Sequence, residues 1–292
     1  MTMLTLPERR SSHRAVRPRM QAARPDTGGR RWLFRVAATA LPALAATLVL
    51  PWAVGSASEG TAASSPQGAD VSYPQCGGPL PTGHAFGIVG VNGGRATTTN
   101  PCLATQLAWA AEASGGTVHD DVQLYVNTGN PGEQASTWPR SGSNRHGTCD
   151  GSNSRACAYE YGWARALDDA TIRGISHPEQ YMWWLDVETA NTWDYAEGGG
   201  ARNAAVLEGM TEYFTSIGAR GVGLYSTRSQ WAGIIGSGVD AASSLNGLSN
   251  WRPTGSTLEG AVASCGVAPL TPGGIVEMTQ YTTDFDYIHS CM

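Results

Sequence analysis

Apolar and polar positions divide the chain into two regimes. From Val36 to Val54 the residues are almost wholly apolar (VAATALPALAATLVLPWAV), whereas from Ala69 onward short apolar runs alternate with segments of helical period. AFGIVGVNGG (85–94) predicts a buried strand running into a turn. Asn100 and Pro101 supply an N-cap and a first-turn proline for a helix LATQLAWAAEAS (103–114), which Gly115 and Gly116 end. DVQLYVN predicts a strand with Val122, Leu124 and Val126 on one face and Gln123, Tyr125 and Asn127 on the other. Tyr159, Trp163, Ala166 and Ala170 recur at helical spacing, as do Leu207, Met210, Phe214 and Ile217 before Gly218. Between these two helices, YMWWLDVE (181–188) alternates as a strand, placing Trp184, Asp186 and Glu188 on one face and Trp183, Leu185 and Val187 on the other. A strand GVGLYST, a helical turn around Trp231, a poorer strand near LSNW, a helical piece LEGAVAS and a last strand GIVEMTQY complete the series.

Alternating strands and helices imply a parallel sheet, because parallel neighbours need a crossover between them. About 225 residues of this rhythm suit one barrel better than two domains. Seven or eight strands are expected, with short later helices, so the fold class is α/β, a single modified (β/α) barrel of the TIM type. A doubly wound open sheet is the competitor. It would bring a glycine-rich nucleotide loop after an early strand, and neither G-x-G-x-x-G nor G-x-x-x-x-G-K-[ST] occurs. The polar strand faces also favour a barrel, whose mouth they would line.

The apolar run near the N-terminus changes the reading of the first 57 residues. Nine Arg and only two acids, Glu8 and Asp26, precede it, and Gly55, Ser56 and Ala57 follow. A basic head, an apolar middle and a small-residue exit describe an export signal over 1–57, with a linker over 58–67 and the barrel domain over 68–292. Arg30 and Arg31 before Trp32, Leu33 and Phe34 are similar to a twin-arginine signal, and the general secretory route is the alternative. An uncleaved anchor is the rival, since about 19 to 20 apolar residues can span a bilayer. Pro42, Pro51 and the small residues at 55–57 favour cleavage, so the expected location is secreted, extracellular or wall-associated, with a membrane partner only if the segment stays attached.

Cleavage after Ala57 leaves ten Arg against 22 acids, a net charge of −12, which disfavours nucleic acid and anionic membrane as partners. All six cysteines, Cys76, Cys102, Cys149, Cys157, Cys265 and Cys291, lie in the exported part, and an even count there argues for disulfides. Sequence does not choose among 15 pairings. The most local set, 76–102, 149–157 and 265–291, is the expectation, because CDGSNSRAC is short and polar enough for its ends to meet.

Asp186 and Glu188 end a strand, where barrels keep their chemistry, although acids there also cap helices or pair with Arg. Further acids stand near both ends of the domain: Asp70 in ADVSYPQCG, and Asp284 and Asp286 in TQYTTDFDYIHSC. With these the chain resembles glycoside hydrolase family 25, the lysozyme-type muramidases, and more closely a related family of secreted actinobacterial proteins. The resemblance rests on DVSYPQC (70–76), FGIVGVNGG (86–94), NPCLATQ (100–106), YVNTGNPG (125–132), CAYEYGW (157–163), WWLDVETANTW (183–193), VGLYS (222–226) and QY-x3-FD (280–286), in order along nearly the whole exported chain.

The resemblance implies a modified (β/α) barrel with acids at one mouth and a glycosidase acting on peptidoglycan or another N-acetylated polysaccharide. By position, Asp70 matches the family's first-strand Asp, Asp186 and Glu188 its D-x-E, and Asp284 its final-strand Asp. Asp286 falls where the muramidases more often have Asn, which leaves the choice between Asp284 and Asp286 open. Glu188 is the implied general acid, its proton favoured by the charge of Asp186 and the apolar cover of Trp184. Tyr125, Asn127, Trp184, Tyr225 and Gln280 are the candidate sugar contacts. Chitinase-like barrels carry a further acid before D-x-E, where this chain has Trp184. Neither G-x-S-x-G nor H-E-x-x-H occurs, and no spacing suits a metal. No cofactor is expected, and the protein is expected to act as a monomer on a polysaccharide. A reading of another class is a catalytically silent barrel that binds wall glycan or a surface partner.

Overall fold

The computed structural model describes residues 66–292. The export signal read over 1–57 lies outside the described residues, as does the linker read over 58–67 up to its last two positions. Among the described residues no helix is long and apolar enough to cross a membrane.

In chain order the elements are β1 (Gln67–Val71), β2 (Gly87–Gly90), α1 (Leu103–Ala110), β3 (Val122–Asn127), a hairpin of β4 (Gly142–Asn144) and β5 (Gly147–Cys149), α2 (Arg155–Thr171), β6 (Met182–Asp186), α3 (Gly199–Ser216), β7 (Gly221–Tyr225), α4 (Arg228–Ile234), β8 (Ser249–Gly255), α5 (Leu258–Ala263), β9 (Ile275–Thr282) and β10 (Asp286–Ser290). Eight strands close a barrel in the order β1-β10-β9-β8-β7-β6-β3-β2. Pairs from β1 through β2, β3, β6, β7 and β8 to β9 are parallel. β10 is antiparallel to both its neighbours, β9 and β1. This corrects the all-parallel expectation: only three residues separate β9 from β10, too few for a crossover, so the closing segment is a hairpin.

Two further departures are local. The helix expected over 103–114 stops at Ala110, because the amides of Ser114 and Gly115 turn away to the carbonyls of His84 and Ala85. The β4–β5 hairpin was not expected. Its last residue, Cys149, is joined to Cys157 on α2, and the other disulfides are Cys76–Cys102 and Cys265–Cys291. The pairing is the most local set.

Strand alternation sorts the core into two layers. Trp183 faces outward and stacks on Phe214 of α3, with ring centroids 4.3 Å apart. Its neighbour Trp184 points into the barrel, where Phe86, Ile88, Trp251, Met278 and Ile288 surround it as a plug. Gly223 on β7 makes room for that indole: a Cβ there would lie 2.2 Å from the Trp184 ring. The outer layer depends on α2 and α3, the two long helices, which approach each other through Gly162 and Gly209. Side-chain caps begin α2, α4 and α5: the hydroxyls of Ser154, Thr227 and Thr257 accept from the amides of Cys157, Gln230 and Gly260.

Candidate active site

Above the Trp184 plug, the C-terminal ends of the parallel strands open into a cavity of about 130 Å³. Asp70 reaches it from β1, Tyr125 from β3, Asp186 from β6, Tyr225 from β7, Trp251 from β8, Gln280 from β9 and Asp286 from β10, with Glu188 entering from just beyond β6. Strand register explains the convergence. Asp186 lies beside Asn127 on one side and Tyr225 on the other. Asp70 lies opposite Asp286 across the β1–β10 pair, so these two carboxylates share one face.

Packing acids together here shifts the protonation of Asp70, Asp186 and Glu188. Burial pushes the Asp70 carboxyl well above its ordinary range, and the charges of Asp286, Asp186 and Glu188 add to this. Burial likewise raises Asp186 strongly, with Glu188 adding to the shift while the Asn191 and Asn127 amides oppose it. Glu188 is half-buried. Its pKa is raised by burial and by Asp286, against a hydrogen bond from Gln230. Burial, followed by the acids, also drives the Tyr225 phenol upward, so it stays protonated as a donor.

The polar atoms around the cavity are only partly used by the protein. Asp186 Oδ2 accepts from Asn127 Nδ2 at 2.8 Å. Oδ1 of Asp186, Oδ1 of Asp70, Nε1 of Trp251 and Oε1 of Gln280 are buried without a protein partner. Buried polar groups are nearly always hydrogen-bonded, so four such atoms on residues of one cavity mark a surface shaped for a ligand. Behind Asn127 the support continues. The Asn127 amide donates to Asn92 Oδ1 at 2.7 Å, and Asn92 Nδ2 donates to Asp169 Oδ1 at 2.9 Å. Asp169, fully buried on α2, has its pKa raised to about 7 by burial, opposed by Asn92 and Arg173.

The structure thus brings together Asp70, Asp186, Glu188, Asp286, Tyr125, Tyr225 and Gln280 of the residues expected from sequence. Asp284 does not join them. It sits in the exposed β9–β10 turn, where its carboxyl accepts from the Thr283 hydroxyl at 2.8 Å, and that bond is the largest cause of a lowered pKa, the reverse of the raised acids in the cavity. The final acid of the cluster is Asp286. Trp184 is not a ligand contact either: it is 0% exposed, two residues below Asp186, and its Nε1–H is spent on Gln123 Oε1 at 2.7 Å. Asn127 acts through Asp186 rather than lining the cavity. Trp251 and Tyr225, with ring centroids 4.4 Å apart, supply the aromatic cover that sequence reading gave to Trp184. Trp251 was missed, its one signal being a Trp at the end of the poor strand LSNW.

The raised acids give a test that needs no substrate. A carboxyl raised in the folded state keeps a proton that the unfolded chain releases, so stability falls as pH rises from the ordinary carboxylate range toward the folded pKa. Asp70→Asn removes this penalty at a position whose Oδ1 has no partner to lose. Thermal melts are expected to show a Tm gain of roughly 3–6 °C at pH 7 that vanishes below about pH 4. A loss of Tm at pH 7 would count against a crowded, proton-retaining cluster.

No family model matches the chain, and no curated protein sequence does. Solved structures similar to it include the muramidase from Acremonium alcalophilum, 16% identical over 77% of this chain and 93% of that one, with a TM-score of 0.47. The muramidase from Trichobolus zukalii gives 16% identity, the same two coverages and a TM-score of 0.46. The bacterial lysozyme from Streptomyces coelicolor gives 16% identity over 78% of this chain and 93% of that one, with a TM-score of 0.43. The barrel assigned here rests on its own strand pairing.

Among the described residues no group of three or more His, Cys, Asp or Glu is arranged to hold a metal ion. The carboxyls of the cavity are groups that can transfer a proton and stabilise developing positive charge.

Proposed function

We propose that the protein is a secreted glycoside hydrolase that cleaves peptidoglycan or another N-acetylated polysaccharide. The observation that carries this reading is the convergence of Asp70, Asp186, Glu188 and Asp286 on one aromatic-lined cavity, each from its own β-strand or the loop after it. Glycosidic cleavage needs one carboxyl that holds a proton and a nearby carboxylate that does not. Burial raises the pKa of both members of the pair, Asp186 the more strongly, so the roles are assigned by position: Glu188, the more exposed and the one that a leaving oxygen can reach, is the acid. Asp186 is given the anionic role in the complex, where the Asn127 and Asn191 amides and the positive charge developing on the sugar oppose the burial that raises its pKa.

In the proposed reaction the Glu188 proton passes to the leaving glycosidic oxygen as the bond from the anomeric carbon to that oxygen breaks. Asp186 orients the substrate's own N-acetyl oxygen toward the anomeric carbon and steadies the positive charge that develops. Water then adds at that carbon, giving its proton back to Glu188. The charge of Asp286 favours the proton on Glu188, and Tyr225 and Trp251 offer faces on which a sugar can stack.

The experiment is to incubate the purified protein with cell-wall peptidoglycan and to measure new reducing ends. Release by the wild type supports the reading. No release from peptidoglycan or from any amino-sugar polymer, alongside retained binding to them, would favour a silent glycan-binding barrel.

A further inference from the structure

Beside the acid cavity lies a larger groove, of about 490 Å³, formed by the loops that follow β2, β3 and β6. It starts at the backbone of the acid pair, for Thr128 Oγ1 and Asn191 Nδ2, both on its wall, donate to the Asp186 carbonyl. Its lining is made of small and neutral polar residues with one exception, Arg95. That side chain is exposed and takes no part in the ion pairs of the described residues.

The Arg95 loop is held firmly. The Arg95 carbonyl accepts from both the amide and the hydroxyl of Thr98, at 2.9 and 2.8 Å, and Arg173 donates to Thr99 Oγ1 at 3.1 Å on the same loop. Gly94, at φ +84°, passes so close to Tyr73 that a Cβ would meet its ring at 2.8 Å. The cation therefore projects from a fixed backbone. Its setting is unusual for this chain, whose residues after Ala57 number ten Arg against 22 acids.

The ionised carboxylates of the cavity, Asp186 among them in the proposed reaction, repel a negative group on a bound polymer within about a Debye length, ~8–10 Å at ordinary salt. An anionic substituent is tolerated only where it can leave that field. The groove next to the Asp186 backbone carries no acid in its lining, and a guanidinium stands on its wall.

We propose that the groove holds a carboxylate-bearing substituent of the glycan whose glycosidic bond lies at the acid pair, with Arg95 as its counter-ion. The assignment rests on the glycosidase reading above. The carboxylate has two sources on such a strand: the lactyl group of a peptide-free muramic sugar, or the acidic residues of an attached peptide.

The test measures binding by calorimetry in protein carrying Glu188→Gln, so that no probe is consumed. Three soluble probes are compared: a neutral N-acetylglucosamine oligomer, a peptide-free strand with lactyl carboxylates, and the same strand bearing acidic peptides. Adding Arg95→Ala is expected to weaken an acidic strand about tenfold and to leave the neutral oligomer within about twofold. Arg95→Lys should restore part of the loss, and added salt should erase the difference. The strand that responds identifies the source of the carboxylate. Equal loss on all probes, no loss on either acidic strand, or no binding of any probe would overturn the assignment. Hydrolysis is read separately on the wild type. Reducing ends without an Arg95-dependent preference defeat the groove alone, whereas the preference without reducing ends defeats only the hydrolase reading.

Discussion

Glu188→Gln is expected to lower the rate of reducing-end release by about 10³-fold while leaving affinity for the same glycan within about threefold. The substitution keeps the size of the side chain and its capacity to hydrogen-bond with Gln230, so the cavity stays intact and only the transferable proton is lost. The pH dependence should change as well. A raised acid pKa places the falling limb of the wild-type profile above the ordinary carboxylate range, and the variant's residual rate should no longer show that limb. Initial rates on soluble peptidoglycan fragments across pH, paired with calorimetry, separate the two effects. If more than about a tenth of the wild-type rate survived, the proton would have to come from another carboxyl. Asp286 and Asp70 are the candidates in the same cavity. Asp284, exposed in its turn, is not.

The parts of this site that could be read from sequence are those fixed by the period of a strand. From Trp183 to Glu188 side chains alternate strictly, so the acids could be assigned to one face and the outward Trp183 to the other. Asp284 and Asp286 could not be separated in this way. Two residues apart, they share a face in any continuous strand, and only the position of the β9–β10 turn decides between them. Trp251 was obscured for a different reason. Its neighbours Asn250 and Arg252 are polar yet buried, because Asn250 Oδ1 accepts the Leu270 amide and the Arg252 guanidinium donates to the carbonyls of Ser226 and Ala268. Their burial breaks the apolar alternation by which a strand is recognised. The bonds that brace Asp186 are illegible for a third reason: Asn92 and Asp169 meet across 77 residues, a separation that no local period reports. The disulfides were easier, since each closes a loop of local chain.

The stability of the frame depends most sharply on the glycines between the two long helices. A Cβ on Gly162 of α2 would lie 1.9 Å from the Val206 carbonyl oxygen, and one on Gly209 of α3 would lie 2.1 Å from the Tyr159 carbonyl oxygen. Both obstacles are helix backbone, which cannot rotate aside as a side chain can, so the helices must separate. Their separation would strip contacts from a layer that includes Phe214, whose ring covers Trp183 on the outer face of β6. Gly209→Ala is therefore expected to cost about 3 kcal/mol, at the upper end of overpacking, despite the higher helix propensity of alanine. For a domain of this size that corresponds to a Tm loss of roughly 6–12 °C. Calorimetric melts of Gly209→Ala and Gly162→Ala would measure it, with Gly233→Ala on α4 as control, because a Cβ there meets no atom within 4 Å. A melting temperature unchanged at both helix-pair positions would mean that α2 and α3 do not approach as closely as described. The effect should also be separable from chemistry. Asp186 and Glu188 are carried by β6 and the loop beyond it, so below the lowered Tm the helix-pair variants should retain the wild-type pH profile, whereas Glu188→Gln alters that profile without lowering Tm.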